Sequence, residues 1–174
     1  MVVEVVRADI TTLDVDAVVN AANAAMRGGG GVDGAIHAAG GPAILAECIE
    51  RFPHGLPTGA AGWTTAGDLP ARWVIHVVGP NWNAGQRDPA LLTSCYDSAL
   101  RVAAELGAAS IAFPLVSAGI YGWPLDDAAA IAYRTLWDRS SAPGHGASVP
   151  NIMLVAYDMQ AERALLAAQE QAGA

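Results

Sequence analysis

The 174-residue chain is 53% hydrophobic and only 15% charged, so it can bury an ordinary domain core and is not a disordered polypeptide. Seventeen acidic residues against nine arginines, with no lysine, give a net charge of −8, and no basic stripe suited to general nucleic-acid binding is present. The two cysteines, Cys48 and Cys95, are too few for a disulfide framework or a cysteine-rich metal site.

Strand-like and helix-like segments alternate along the chain, a pattern typical of α/β proteins. We predict strands over residues 2–8, 17–20, 73–78, 110–115 and 151–157. We predict helices over residues 35–51, as one helix or as two with the second starting at Pro42, then from Asp88 to Gly107, from Asp126 onward, and over residues 161–171. Residues 140–150 are predicted to form a flexible surface loop. No repeat or linker interrupts this order, so we predict one three-layer α-β-α domain over residues 1–174.

Neither a secretory signal nor a membrane span is visible in the chain. We therefore predict a cytoplasmic protein with no membrane partner. The four histidines have no metal-ligand spacing, so no metal site is predicted. His76, in an apolar strand, is interpreted as a hydrogen-bonded core residue and His37 as a helix-surface residue.

The densest signal for chemistry is a glycine-rich loop. Asn20 ends a predicted strand and Asn23 follows it, and four consecutive glycines, residues 28–31, lead into Asp33 and a helix start. Ordering four glycines is entropically costly, but they let several backbone N–H groups approach one oxyanion. This arrangement favours phosphate binding over the alternative of a flexible hinge.

Two common nucleotide motifs fit this loop poorly. Gly29, Gly31 and Gly34 match the G-x-G-x-x-G pattern of dinucleotide-binding folds, but the required acidic residue at the end of a second strand is missing, because Glu47 and Glu50 fall in a predicted helix. A P-loop needs a lysine after its glycines, and the chain has none.

A second loop, residues 114–124, lies between a strand and a helix. Because ligands of open α/β sheets bind where the strands end, both loops can line one crevice, and two phosphate-binding loops suit a diphosphate. The alternative for this segment is an ordinary turn. Ser117 lacks the G-x-S-x-G context of a nucleophile.

Several ordered motifs resemble a known family. They are Asp9-Ile10-Thr11, residues 18–23, 28–37, 69–71, 74–76, Gly79-Pro80 and residues 113–122. Together, over residues 7–157, they resemble a macrodomain of the MacroD type. The resemblance implies a three-layer fold with a central mixed β-sheet and an ADP-ribose pocket. It also implies removal of mono-ADP-ribose from acidic side chains of proteins and deacetylation of O-acetyl-ADP-ribose, with no metal and no cofactor. The implied partners are ADP-ribose, its O-acetyl or protein-linked derivatives, and mono-ADP-ribosylated proteins.

The resemblance also assigns ligand contacts. Asp9, beside the Ile10 backbone, would accept a hydrogen bond from the adenine amino group, and Tyr157 would stack on adenine. The alternatives are a turn aspartate and a half-buried aromatic residue. The implied ligand-binding set is completed by Asn20 and by the two diphosphate loops, with Gly29, Gly30, Gly31 and Val32 in the first and Ser117, Ala118, Gly119 and Ile120 in the second.

Three residues are implied in catalysis. Asn23 would orient the distal ribose, Asp33 would be the catalytic carboxylate, and Tyr121 would close over the ribose as a lid. For Asp33 the alternative is a helix N-cap, and for Tyr121 it is a solvent-facing loop aromatic. A binding module without turnover is the alternative function, and a nicotinamide-dependent oxidoreductase is a weaker one. Trp82, Asn83 and Trp123 have no obvious counterpart in the family pattern.

Overall fold

The computed structural model describes residues 2–141 and 149–173, which contain six β-strands and five α-helices. The strands are β1 (Val2–Arg7), β2 (Ala17–Ala22), β3 (Ala61–Thr65), β4 (Trp73–Val78), β5 (Ser110–Phe113) and β6 (Asn151–Ala156). The helices are α1 (Gly31–Gly40), α2 (Pro42–Arg51), α3 (Pro89–Glu105), α4 (Leu125–Ser141) and α5 (Met159–Ala172). None of the helices in these ranges combines the length and the apolar character that a membrane crossing requires.

The strands form a single mixed sheet in the order β1-β6-β5-β2-β4-β3. Every neighbouring pair is parallel except β3 and β4, which are antiparallel at one edge. The predicted α/β fold with a central mixed sheet is therefore confirmed. Parallel neighbours bring the carboxyl ends of β1, β2, β5 and β6 to the same edge of the sheet.

Helices cover both faces of the sheet, because the central strands are apolar on both sides. Successive residues of β2, Val18 and Val19, belong to opposite core clusters, as do Val74 and Ile75 of β4. One cluster includes Ile36 and Ile44 of α1 and α2. The other includes Leu92, Leu136 and Leu165 of α3, α4 and α5. The structure thus has the three layers that were predicted.

The structure differs from the sequence prediction at β3 and at the start of α1. Residues 61–65 were not predicted as a strand, because they contain Gly62 and show no alternation of apolar and polar residues. Glycine suits this position because the Phe52 ring packs against it. A Cβ added at Gly62 would lie only 2.5 Å from the ring, too close for any larger residue. Helix α1 begins at Gly31, four residues before the predicted start, and ends before Gly41. The prediction of two helices with Pro42 at the second start is confirmed.

Other boundaries moved by a few residues. Helix α3 begins as expected, with Asp88 accepting a hydrogen bond from the Ala90 N–H at 2.9 Å. Strand β5 ends at Phe113, two residues before the predicted end. Ser140 and Ser141, predicted as loop, belong to α4, whereas residues 142–148 of that predicted loop lie outside the described residues.

Candidate active site

A crevice opens at the edge of the sheet where the parallel strands end. The segments that follow β1, β2, β5 and β6 line this cavity of about 930 Å³. Its volume suits a ligand the size of a nucleotide. The two loops predicted as phosphate-binding follow β2 and β5, so they line the same crevice, as the strand-end rule predicts.

The first loop, residues 23–30, carries the chain from β2 to the start of α1. Gly29, Gly30 and Gly31 line the crevice, and Gly30 is the N-cap residue of α1. The first N–H groups of a helix have no acceptor within the helix, so this wall of the crevice offers backbone donors and the positive end of a helix dipole. The loop closes tightly, because a Cβ on Gly34 would lie only 2.7 Å from the Gly29 carbonyl oxygen.

The second loop, residues 114–124, offers a further set of backbone donors. The N–H groups of residues 117–121 have no acceptor within the described part of the chain. Ser117 has a left-handed backbone with φ of 65°, and its buried hydroxyl likewise has no partner there. Ile120 reaches across the crevice, with its Cδ1 3.1 Å from the position of a Cβ on Gly30. Free backbone donors from two loops therefore lie close together.

No cationic side chain lines this crevice within residues 2–141 and 149–173. Its ionisable side chains are those of Asp9, Asp33, Asp158, Tyr121 and Tyr157. The described residues also contain no group of three or more histidine, cysteine or acidic side chains arranged to hold a metal ion. An anion in this crevice would consequently be held by neutral backbone amides.

Asn23 and Asp33 both reach Gly29 in the first loop. The position of a Cβ on Gly29 is 3.1 Å from Asp33 Oδ2 and 3.4 Å from Asn23 Nδ2. The Asn23 amide is fixed at both ends, since its Nδ2 donates to the Gly28 carbonyl oxygen at 2.8 Å and its Oδ1 accepts from the Met26 N–H at 3.1 Å. Asp33 is 4% exposed. An oriented amide and a buried carboxylate therefore meet beside the candidate phosphate site.

Two interpretations made around Asp33 are wrong. Asp33 is not the N-cap of α1, because Gly30 holds that position and Asp33 lies inside the first turn. His37 is not a surface residue, because it is half-buried and its Nε2 lies 3.3 Å from Asp33 Oδ1. A helix that starts at Gly31 places residues 33 and 37 on one face, whereas the predicted start at residue 35 left Asp33 outside the helix.

Asn20 was predicted to bind the ligand, but it does not line the crevice. It is fully buried on β2, and its Nδ2 donates to Asp33 Oδ1 at 2.7 Å. The same Nδ2 lies 3.1 Å from Nδ1 of His76 on β4, and Nε2 of that ring lies 2.9 Å from Thr64 Oγ1 on β3. His76 is thus a hydrogen-bonded core residue, as predicted. Burial, assisted by the neighbouring His37, lowers the pKa of His76 to about 3.

Asp9 and Tyr157 lie at the crevice after β1 and β6. Asp9 caps a short 3₁₀ helix (Ile10–Thr12), where its Oδ1 accepts from the Thr11 N–H at 2.9 Å and the Thr11 hydroxyl at 2.7 Å. The interpretation as a turn aspartate is therefore confirmed, and the same residue lines the crevice. Tyr157 is 88% exposed, so it is not a half-buried aromatic and its ring is open to contact with a ligand.

A second short 3₁₀ helix (Trp82–Ala84) braces the second loop. Asn83 donates from its backbone N–H to the Tyr121 carbonyl oxygen and from its side-chain Nδ2 to the Ile120 carbonyl oxygen, both at 3.2 Å. Trp82 packs edge-on against Trp123, with ring centroids 5.0 Å apart. Trp82, Asn83 and Trp123 are the three residues for which the sequence showed no obvious counterpart in the family pattern. Their contacts join segments about 40 residues apart, a relation that no local pattern signals.

All but one of the predicted site residues line the crevice. They are Asp9, Ile10, Asn23, Gly29, Gly30, Gly31, Val32, Asp33, Ser117, Ala118, Gly119, Ile120, Tyr121 and Tyr157. Their individual roles stay predictions.

An α/β sheet with amide-lined loops at the ends of its parallel strands is typical of proteins that bind nucleotide diphosphates. Within that class, the chain belongs to the Macro domain family, whose model matches residues 19–132. The resemblance found in the sequence is therefore confirmed at the level of the family.

Individual relatives extend this result. The chain is 55% identical over 164 residues to a macro domain-containing protein of Streptomyces griseus, covering 92% of this chain and 90% of that protein. It is 53% identical over 136 residues to a Klebsiella pneumoniae protein named O-acetyl-ADP-ribose deacetylase, covering 76% of this chain and 78% of that protein. Among solved structures, an Oceanobacillus iheyensis macrodomain with ADP gives a TM-score of 0.88 at 36% identity, covering 97% of this chain and 90% of that one.

Proposed function

We propose that the protein binds ADP-ribose in the crevice and hydrolyses esters that join ADP-ribose to an acyl group. The substrate class comprises O-acetyl-ADP-ribose and proteins that carry mono-ADP-ribose on acidic side chains. The observation that carries the proposal is the combination of a cation-free, amide-lined slot with Asn23 and Asp33 beside it. The names of the Klebsiella relative and of the solved macrodomain with ADP support it.

Binding follows from the chemistry of the crevice wall. The diphosphate would accept hydrogen bonds from the free N–H groups of the two loops, at the positive end of α1. At one end, Asp9 would accept from the adenine amino group and the exposed Tyr157 ring would stack on the base. At the other end, Asn23 would fix the distal ribose, and Tyr121 would close over it.

Hydrolysis requires a water molecule held between Asp33 and the ligand's diphosphate. The water oxygen forms a bond to the acyl carbon or, where the ester joins a protein carboxylate to the anomeric carbon, to that anomeric carbon, and the bond from the attacked carbon to the bridging ester oxygen breaks. The Asp33 carboxylate takes up the proton of the water and returns it to the departing oxygen. Both routes give ADP-ribose and a carboxylic acid. Hydrolysis in heavy-oxygen water distinguishes them, because only acyl attack places the heavy oxygen in the carboxylic acid.

The test compares the parent protein with Asp33→Ala and Asn23→Ala on both ester substrates. We expect the parent to release ADP-ribose and each variant to lose about a hundredfold or more in kcat, since positioned proton transfer and orientation each contribute on that scale. Asp14→Ala is the matched control, because it removes an exposed carboxylate that does not line the crevice.

Two outcomes would contradict the hydrolase. If calorimetry shows ADP-ribose binding but the parent releases nothing from either ester, the chain is a binding module. If ADP-ribose produces neither heat nor a rise in Tm, the binding proposal fails as well.

A further inference from the structure

A line of buried polar side chains runs from the crevice across three neighbouring strands of the sheet. It starts at Asp33 and continues through Asn20 on β2 and His76 on β4 to Thr64 on β3. Asn20 and His76 are direct register partners in the parallel pair β2 and β4. Asn20, His76 and Thr64 are fully buried and do not line the crevice, so they cannot touch a ligand there.

The Asn20 amide is held from its nitrogen side alone. Nδ2 lies 2.7 Å from Asp33 Oδ1 and 3.1 Å from His76 Nδ1, whereas Oδ1 has no hydrogen-bond partner within the described residues. A rotation of this amide by half a turn would bring its oxygen against the Asp33 carboxylate. The orientation that suits an ionised Asp33 therefore depends on an acceptor at His76 Nδ1.

The His76 ring supplies that acceptor only in one protonation state. Burial keeps the ring neutral, so one of its nitrogens carries a hydrogen and the other accepts. With Nδ1 accepting from Asn20, Nε2 carries the hydrogen and donates to Thr64 Oγ1 at 2.9 Å. Cys48 Sγ, at 3.7 Å from Nε2, is the other polar neighbour on that side of the ring. Thr64 Oγ1 accordingly accepts the Nε2 hydrogen of the tautomer that Asn20 needs and holds the ring in place.

The orientation of the Asn20 amide affects the crevice because Asn20 contacts one of the two carboxylate oxygens of Asp33. Asn20 and His37 contact Oδ1, which leaves Oδ2 directed at Gly29, where the position of a Cβ lies 3.1 Å away. We propose that His76 and Thr64 are positioning residues, which fix the Asn20 amide and thereby hold Asp33 with Oδ2 toward the reacting water. This inference rests on the proposed hydrolase function.

Two substitutions of His76 separate its contacts. In His76→Asn the side chain can place an oxygen near the position of Nδ1, so the acceptor for Asn20 is kept. In His76→Gln the amide extends to the position of Nε2, so the contact with Thr64 is kept and the one with Asn20 is lost. We expect His76→Gln to lower kcat by about tenfold or more with KM changed less than about twofold, because misplacing a catalytic group affects the chemical step. We expect His76→Asn to stay within about threefold of the parent kcat.

Thr64→Val and Thr64→Ser provide a second pair that disturbs packing less. The valine variant removes the acceptor for His76 Nε2 and the serine variant keeps it, so we expect kcat to fall in the first and recover in the second. The proposal would be overturned if the two variants at His76, or the two at Thr64, lost kcat equally. It would also be overturned if the losses of kcat followed the losses of Tm, or if KM rose and kcat did not fall.

The tautomer is measured directly on the parent protein by nitrogen-15 NMR of the histidine rings. We expect His76 to be protonated at Nε2 and unprotonated at Nδ1 at neutral pH. Protonation at Nδ1 would overturn the positioning role whatever the kinetics show. If instead the parent hydrolyses neither ester, the proposed function fails, and this measurement still decides the arrangement around Asn20.

Discussion

Individual residues at the crevice depend on neighbours that the ligand would never touch. Asp33 is buried in the first turn of α1, yet its geometry is set by Asn20 from the sheet and His37 from the next turn. The sequence pointed to Asp33 through its place after four glycines. It gave no sign that a strand residue 13 positions earlier would bind the carboxylate, because that contact follows from how α1 packs on β2.

The buried His76 predicts a pH dependence of stability. Its ordinary pKa of 6.5 applies to the unfolded chain, and burial lowers the pKa to about 3 in the folded protein. Between these values the unfolded chain binds a proton that the folded chain does not, so this contribution to stability is complete above pH 6.5 and is lost as the pH falls toward 3. We expect a loss of about 1.4 kcal/mol in the free energy of unfolding for each pH unit inside this window.

Urea unfolding of the parent and of His76→Gln at pH 7, 6, 5 and 4 measures this contribution. The glutamine variant should show the shallower dependence over the window set by His76 (pKa about 3 folded, 6.5 unfolded). His54→Gln, which removes an exposed imidazole, is the control and should follow the parent. Parallel curves for all three proteins would show that His76 is not buried in neutral form.

At the scale of elements, the two loops differ in how they are held. The first is continuous with α1 and closes on itself through Asn23 and Gly34. The second is held by contacts from other parts of the chain. The 3₁₀ helix at Trp82–Ala84 donates to it through Asn83, and the buried Tyr96 hydroxyl of α3 accepts from the Val116 N–H at 3.1 Å. Loop donors that are held in place before binding lose less entropy when a ligand arrives.

Removing one brace should therefore weaken binding without unfolding the protein. We expect Asn83→Ala to lower the affinity for ADP-ribose by about twofold to tenfold, the range that corresponds to one net hydrogen bond. Calorimetry gives the affinity and thermal unfolding gives the stability. Asn151→Ala is the matched control, since its side chain also donates to a loop carbonyl, that of Ala109, but at the opposite edge of the sheet. Equal effects of the two variants on affinity would contradict the bracing role.

At the scale of the whole molecule, the net negative charge of the protein opposes the binding of an anionic ligand in the crevice. The chain carries a net charge of −8, and the proposed ligand is also an anion. Within the described residues the crevice contributes carboxylates and no cationic side chain. Long-range repulsion therefore opposes binding, and the short-range amide contacts must overcome it.

Salt should consequently strengthen binding. Because dissolved ions screen repulsion between the protein and the ligand, we expect the affinity for ADP-ribose to rise by about twofold to fivefold between low and physiological ionic strength. Calorimetric titrations in two sodium chloride concentrations measure this change. A protein that holds its anion with arginine or lysine would show the reverse, so an affinity that falls with salt would contradict an amide-only site.

Local chemistry was enough to predict much of this protein. Short β-branched and apolar runs identified β2 and β4 as strands, Asp88 and Pro89 identified the start of α3, and the glycine cluster identified the first loop. The ordered motifs identified the family, and all but one of the site residues assigned from the resemblance line the crevice. These signals lie within a few residues of the features they predict.

The rest was decided by tertiary contacts. The edge strand β3 forms because β4 offers it a partner, the role of His37 depends on where α1 starts, and Asn20 is buried because its strand lies between β5 and β4. Asn83 supports a loop 37 residues away. The spacing of hydrophobic residues and the residue preferences of turns depend only on residues that are close together along the chain. Which distant side chains share a hydrogen bond depends on strand order and helix packing, and these exist only once the chain has folded.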